Sequence, residues 1–164
     1  CRAYWKLHEL FLRAPAWLKL KPTDVVLDVG AAPGGWTEYC SDTVSQVIAV
    51  DPGHLTFTAD NVTHMSMRLQ DAVPQLVERG IIFDAFIADM NVPVDIAFRL
   101  LRDAQVVLKP ETLVIVTCKN FSGGRATYAE ALDASLKELS LLCTDVFTVQ
   151  LFANGVQEVT VAAR

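Results

Sequence analysis

Apolar residues along the chain fall into two alternating patterns. Short β-branched runs at Asp24–Asp28 (Asp-Val-Val-Leu-Asp) and Val47–Asp51 (Val-Ile-Ala-Val-Asp) each end in an acid, with a turn residue within two positions. That form is expected of buried parallel strands. Phe83–Asp89 and Leu113–Lys119 repeat it, an apolar run and then a polar terminus, and Thr63–Leu69 is a weaker strand candidate. Between these runs the spacing is helical. Val94, Ala97, Phe98, Leu101, Ala104 and Leu108 recur on one helical face behind Pro93, and Tyr128, Leu132, Leu136, Leu139 and Cys143 form a second stripe. Strand–helix alternation predicts an α/β fold, a Rossmann-like, mostly parallel sheet with helices on both faces. The last stretch departs from this: Thr144–Phe152 and Gln157–Ala163 are extended runs joined by Ala153-Asn154-Gly155. Asn-Gly is a hairpin signal, so the sheet is expected to carry an antiparallel edge hairpin at its C-terminal end.

Open α/β sheets bind ligands at the carboxyl ends of their strands. The polar residues there are Asp28 with Gly30, Asp51, Asp71, Asp89 and Lys119. The turn Asp28-Val29-Gly30-Ala31-Ala32-Pro33-Gly34-Gly35-Trp36 follows the first strong strand and leads into a helix over Trp36–Ser41. Its glycines permit positive φ and close backbone approach to a ligand, and free amides at a helix start favour polar or anionic groups. It lacks the Gly-Lys-Ser/Thr of a nucleotidase P-loop, and its glycine spacing departs from the dinucleotide fingerprint. Asp51, about 20 residues beyond Gly30 and ending the next strand, is placed to accept hydrogen bonds from a ribose diol. An adenosine-bearing ligand follows. Asp71 reads either as an adenine contact or as a helix N-cap ahead of Pro74.

The motif Asp-Val-Gly-Ala-Ala-Pro-Gly-Gly-Trp resembles the S-adenosylmethionine loop of the FtsJ-like (RrmJ-type) ribose 2′-O-methyltransferases. That family carries a Lys-Asp-Lys-Glu tetrad. Arg2-Ala3-Tyr4-Trp5-Lys6-Leu7, Ala88-Asp89-Met90, Val116-Thr117-Cys118-Lys119 and Gln157-Glu158-Val159 resemble its four elements, in order. Within the family, Asp89-Met90-Asn91-Val92-Pro93, Cys118-Lys119-Asn120-Phe121 and Gln157-Glu158-Val159-Thr160-Val161 are similar to the large-subunit ribosomal RNA methyltransferase M branch. The resemblance implies S-adenosylmethionine held by Asp28, Gly30, Ala31, Ala32, Pro33, Gly34, Gly35, Trp36, Asp51, Asp71 and Asp89. It also implies catalysis by Lys6, Asp89, Lys119 and Glu158 without a metal, on RNA, ribosomal RNA first. A preceding RNA-binding domain or a partner protein is a further expectation of that branch.

The chemistry gives these residues a reason to cluster. A ribose 2′-hydroxyl is a very weak acid, so its attack on a sulfonium methyl needs held geometry and a base. Lys119 is the expected base, oriented by Asp89 and tuned by Lys6 and Glu158. A second cation favours the neutral amine and the carboxylates oppose it, so the balance is open. Each residue alone has a plainer reading. Lys6 lies with Arg2, Glu9 and Arg13 on a polar helical stripe that reads as solvated. Asp89 and Lys119 could simply end strands in water, and Glu158 could be an outward-facing edge residue.

Composition narrows the field further. The chain has 164 residues, 52% hydrophobic and 20% charged, which suits one domain over residues 1–164. Fourteen Lys and Arg against nineteen Asp and Glu leave a net charge of −5, so a nucleic-acid contact must be a local patch. Arg2, Lys6, Arg13, Lys19 and Lys21 with Tyr4 and Trp5 make the N-terminal segment such a candidate, although a helix packing its aromatics on the sheet is the alternative and the reading taken for Trp17; Ser122-Gly123-Gly124-Arg125 reads as a substrate-gripping loop or a helix entry. Four scattered cysteines read as reduced thiols, no apolar run is long enough to span a membrane, and a cytoplasmic location is expected with mitochondrial as the alternative. Two other functions compete: a methyltransferase-fold subunit of a ribosome-assembly or RNA complex with little activity, and a nicotinamide-dependent oxidoreductase.

Overall fold

The computed structural model describes residues 2–121 and 123–164. Seven strands form one sheet: β1 (Val25–Val29), β2 (Gln46–Val50), β3 (Val62–Met65), β4 (Phe83–Ala88), β5 (Leu108–Lys119), β6 (Val146–Val149) and β7 (Glu158–Ala163). Their spatial order is β3-β2-β1-β4-β5-β7-β6. The pairs among β1 to β5 are parallel, and β7 runs antiparallel to both neighbours. The C-terminal hairpin therefore lies at the edge as expected, with its reversed strand on the inside.

Five helices cover the sheet: α1 (Arg2–Arg13), α2 (Gly35–Ser41), α3 (Leu69–Glu78), α4 (Val94–Ala104) and α5 (Arg125–Leu142). Side chains alternate across a strand, and the cores divide accordingly. Leu27, Phe86, Val114 and Val161 pack among residues of α3, α4 and α5. Val26, Ile87, Ile115 and Ala162 pack with Leu7 and Leu10 of α1 and Trp36 and Cys40 of α2. This parity positions the site. Asp28 follows Val26, Asp89 follows Ile87, Lys119 follows Ile115 and Thr117, and Glu158 precedes Thr160 and Ala162, so all four polar residues share the face that α1 covers.

Three boundaries differ from the sequence reading. Leu69 begins α3 rather than ending a strand. Leu108, in step with the apolar stripe of α4, lies beyond a short 3₁₀ turn (Gln105–Val107) and opens β5. The β4–β5 pairing is irregular after Phe83–Leu108 and resumes at Ala85–Leu113, where the strand was expected to begin. The link from β6 to β7 is longer than the Asn-Gly signal suggests, because Gln150 and Leu151 leave the ladder and Glu158 is the first residue of β7. Of the Ser122–Arg125 segment, Ser122 lies outside the described residues. Arg125 is the first residue of α5 and is exposed.

Candidate active site

Gly30 follows β1 with φ +72°, its N–H donating to Val50 O at 2.9 Å. A Cβ there would lie 2.0 Å from Met90 Cγ. Gly34, at φ +123°, precedes α2, and a Cβ there would meet Phe57 Cβ at 3.2 Å and Leu55 Cδ1 at 3.3 Å. Both glycines are thus needed by neighbouring protein as well as by the turn itself. That is a different reason from the ligand approach expected of them. Gly35 is simply the first residue of α2.

The turn is tied to the next strand through Asp51. Its Oδ2 accepts the Ala32 N–H at 3.1 Å and its Oδ1 the Gly53 N–H at 2.6 Å. Each carboxylate oxygen keeps acceptor capacity for a diol hydroxyl. Asp51 lines a cavity of about 360 Å³ with Gly30, Ala32, Pro52, Met67 and Met90. Asp71 is exposed in the first turn of α3 and does not line it, whereas Gln70 does; the N-cap of α3 is Arg68, so Asp71 is not the cap either. Trp36 is 3% exposed and donates its indole N–H to Ala3 O at 2.9 Å, so its part is to hold α1 against the turn. Ala31 packs with Ala49 and Leu55, and Pro33 O accepts the N–H and hydroxyl of Thr56.

A second cavity, about 290 Å³, adjoins the first through Gly30, Ala32, Asp89 and Asn91. Lys6, Asp89 and Lys119 line it, and Glu158, on a neighbouring smaller cavity, reaches the cluster through Lys6. Lys6 Nζ donates to both Asp89 oxygens at 2.9 and 3.0 Å and lies 3.1 Å from Glu158 Oε2. Lys119 Nζ lies 3.1 Å from Asp89 Oδ1 and donates to Asn91 Oδ1 at 2.9 Å. The Lys6 side chain is only 3% exposed, so it is buried among its partners and not solvated. Glu158 also accepts the Gly155 N–H at 2.9 Å and faces Lys119 across the β5–β7 ladder. Burial alone raises the Asp89 carboxyl, but the Lys6 and Lys119 ammonium groups outweigh it and hold it below the ordinary carboxylate range. Glu158 is lowered too, burial being outweighed by the Gly155 N–H and the lysine charges. Both acids are therefore anions at neutral pH.

Asp28 behaves oppositely. Its fully buried carboxyl is pushed up to about 7 by loss of water, with the Thr37 hydroxyl opposing and the charges of Asp89 and Asp51 adding. Thr37 Oγ1 donates to its Oδ2 at 2.6 Å. A buried carboxyl short of counter-charge at the floor of the tetrad cavity fits a cationic ligand group. The cradle suits S-adenosylmethionine in kind: Asp51 for the ribose diol, and Asp28 for positive charge.

Three contributors escaped the sequence reading. Asn91, two residues past Asp89, supplies Lys119 with a neutral acceptor. Glu9 and Arg13, expected in solvent, hold the β6–β7 connection: Glu9 Oε2 accepts the Phe152 N–H at 2.8 Å, and Arg13 Nη1 donates to Gln150 O at 2.9 Å. Only the spacing of Asn91 after a strand-ending acid was available as a signal.

Comparisons with known proteins bear on the family and the fold. The chain is 31% identical over 96 residues to the ribosomal RNA large subunit methyltransferase E of Bdellovibrio bacteriovorus, covering 54% of this chain and 47% of that protein. It spans less than half the length of the curated relatives it matches. The fold is shared with the fibrillarin pre-rRNA processing protein of Methanococcus jannaschii, with a TM-score of 0.75 and 12% identity over 99% of this chain and 75% of that one. It is also shared with Aeropyrum pernix fibrillarin, solved with natively bound S-adenosylmethionine, with a TM-score of 0.69 and 19% identity over 99% and 76%. The profile of FtsJ-like methyltransferases matches residues 1–155, through three of the four tetrad positions and to within a few residues of Glu158. A match of that extent makes the chain a member of the FtsJ-like methyltransferase family.

Proposed function

We propose that the chain transfers a methyl group from S-adenosylmethionine to a ribose 2′-hydroxyl of RNA, with ribosomal RNA as the substrate. The observation that carries this reading is the convergence of Lys6 and Lys119 on one Asp89 carboxylate, beside the cavity that holds Asp51. When bound, S-adenosylmethionine supplies an electrophilic methyl on a sulfonium. With the cofactor bound, the unprotonated Lys119 amine would take the hydroxyl proton onto Nζ as the ribose oxygen bonds to the methyl carbon and the methyl–sulfur bond breaks, its electron pair staying on a neutral thioether; the proton would then pass to water. Asp89 and Asn91 fix the direction of the Lys119 amine, while Lys6 shares the Asp89 charge and Glu158 anchors Lys6. Asp28 and Asp51 hold the cofactor.

The relatives named for ribosomal and pre-ribosomal RNA support the substrate class. A complete tetrad, its four side chains linked by ion pairs, counts against a subunit that keeps only the fold. The net charge of −5 leaves little general attraction for RNA, which supports a partner or an additional RNA-binding region in substrate capture. Ribosomal RNA incubated with the chain and methyl-labelled S-adenosylmethionine, then digested with alkali, is the test. Label in alkali-resistant dinucleotides is expected, since a methylated 2′-oxygen cannot attack the neighbouring phosphate. Label in mononucleotides would mark base methylation and overturn the ribose reading.

A further inference from the structure

The strand ends that carry the tetrad also carry large apolar side chains in water. Phe152 is 97% exposed, Val156 87%, Trp5 57% and Phe121 53%. Their placement follows from the ladder that builds the site. Lys119 pairs with Glu158, and the Asn120 N–H donates to Gln157 O at 3.1 Å, extending the pairing one step. Phe121 lies two residues past the end of β5, and Val156 two residues before β7 begins. Phe152 belongs to the connection pinned by Glu9, and Trp5 precedes Lys6 on α1. Phe121, Phe152 and Val156 thus lie on segments that leave the strand ends bearing Lys119 and Glu158, and Trp5, in edge contact with Tyr4 and His8, lies one residue from Lys6.

Charge at this rim has one sign where it is unpaired. Arg2 lines the tetrad cavity, and Arg125 lines a smaller cavity of about 180 Å³ with Tyr128, Val156 and Glu158. Neither arginine makes an ion pair among the described residues. Rings held ready beside unpaired cations match a polyanion with open base faces. A duplex hides those faces in its stack, whereas an unpaired stretch offers them to aromatic side chains.

We infer that the Phe121, Phe152, Val156 and Trp5 rim, flanked by Arg2 and Arg125, is a stacking platform for unpaired nucleotides beside the target ribose. The methyl acceptor is then a loop or single strand. This rests on the RNA reading above and goes beyond it by naming the form of RNA and the residues that select it.

The test uses anisotropy of a labelled, unstructured oligoribonucleotide, alone and annealed to its complement, with the intact chain and its Phe121→Ala and Phe152→Ala variants. Both rings are largely in water, so their removal leaves the core alone. The single strand should bind at least about tenfold more tightly than the duplex, and each alanine should weaken it by about tenfold. Phe152→Tyr should restore binding, with cofactor affinity unchanged in every variant. Equal affinity for both forms, or variants that bind like the parent, would overturn the platform and leave the methyltransferase reading intact. Self-association of the parent that Phe152→Ala abolishes would also overturn it, by giving the rim to a second copy. A parent that binds no RNA would take down the RNA reading, and the platform with it.

Discussion

The two ends of the sheet hold cavities of nearly equal size and very different content. At the amino ends of the parallel strands, Phe98, Leu101, Leu108, Leu139 and Leu142 line a space of about 280 Å³ between α4, α5 and the start of β5. Its charged lining pairs toward the surface: Arg102 with Glu138 at 2.8 Å, Lys109 with Asp84, and Arg164 with Asp145 at 2.8 Å. At the carboxyl ends, a space of about 290 Å³ draws two lysines and two carboxylates from positions far apart in sequence. Volume does not distinguish the sites. What distinguishes them is buried charge that can exist only if remote elements bring its partners.

Substitutions can test that contrast, and the largest effect belongs to Lys119→Ala. Methyl transfer should fall by about 100-fold or more, the scale of a lost general base, while calorimetry gives cofactor affinity close to that of the parent. Loss of cofactor binding instead would remove Lys119 from the base role. Asp51→Ala should weaken S-adenosylmethionine by roughly 10- to 100-fold, the scale of charge-assisted hydrogen bonds, and an unchanged dissociation constant would place the ribose elsewhere. Asn91→Asp adds a negative charge beside Lys119, which favours its protonated form. The rate profile should therefore move several-fold toward alkaline pH with little change in cofactor binding.

Asp28 provides a pH test whose sign is fixed. Its carboxyl holds a proton in the folded protein from pH 3.8 to about 7, where the unfolded chain has released it. Its contribution to stability therefore declines as pH rises through that window. Asp89 and Glu158, lowered on folding, act oppositely and lose their contribution as acid protonates them. Thermal unfolding of Asp28→Asn should lack the first decline, and affinity for the cationic cofactor should grow several-fold in the parent as pH passes about 7. A flat affinity profile would exclude Asp28 from the cofactor site. At the other end of the sheet, Glu138→Ala should cost less than about 1 kcal/mol and leave methyl transfer unchanged, since exposed ion pairs contribute little.

The same contrast explains what could be read from sequence. Strands β1, β2 and β4 were legible to within a residue because local apolar runs and their terminal acids define them. The tetrad was legible only as four motifs in order; that Lys6 is buried follows from α1 packing on the face chosen by strand parity. Leu108 was misplaced because it keeps step with the stripe of α4, and only its pairing with Phe83 decides for strand. Glu9 and Arg13 looked solvated because their partners are backbone groups at Gln150 and Phe152, remote in sequence. Asp71 has no such partner to correct it.

That clamp between α1 and the hairpin has a consequence for how the molecule acquires activity. The cavity beside Asp51 is assembled from residues between Val29 and Leu100, at the ends of the first four parallel strands. The tetrad joins Lys6 to Glu158, a contact of high sequence separation that forms only when β7 enters between β5 and β6. Loop-closure entropy delays such contacts in folding. The contacts proposed for the cofactor therefore need the first four parallel strands, and those proposed for catalysis need the last strand as well.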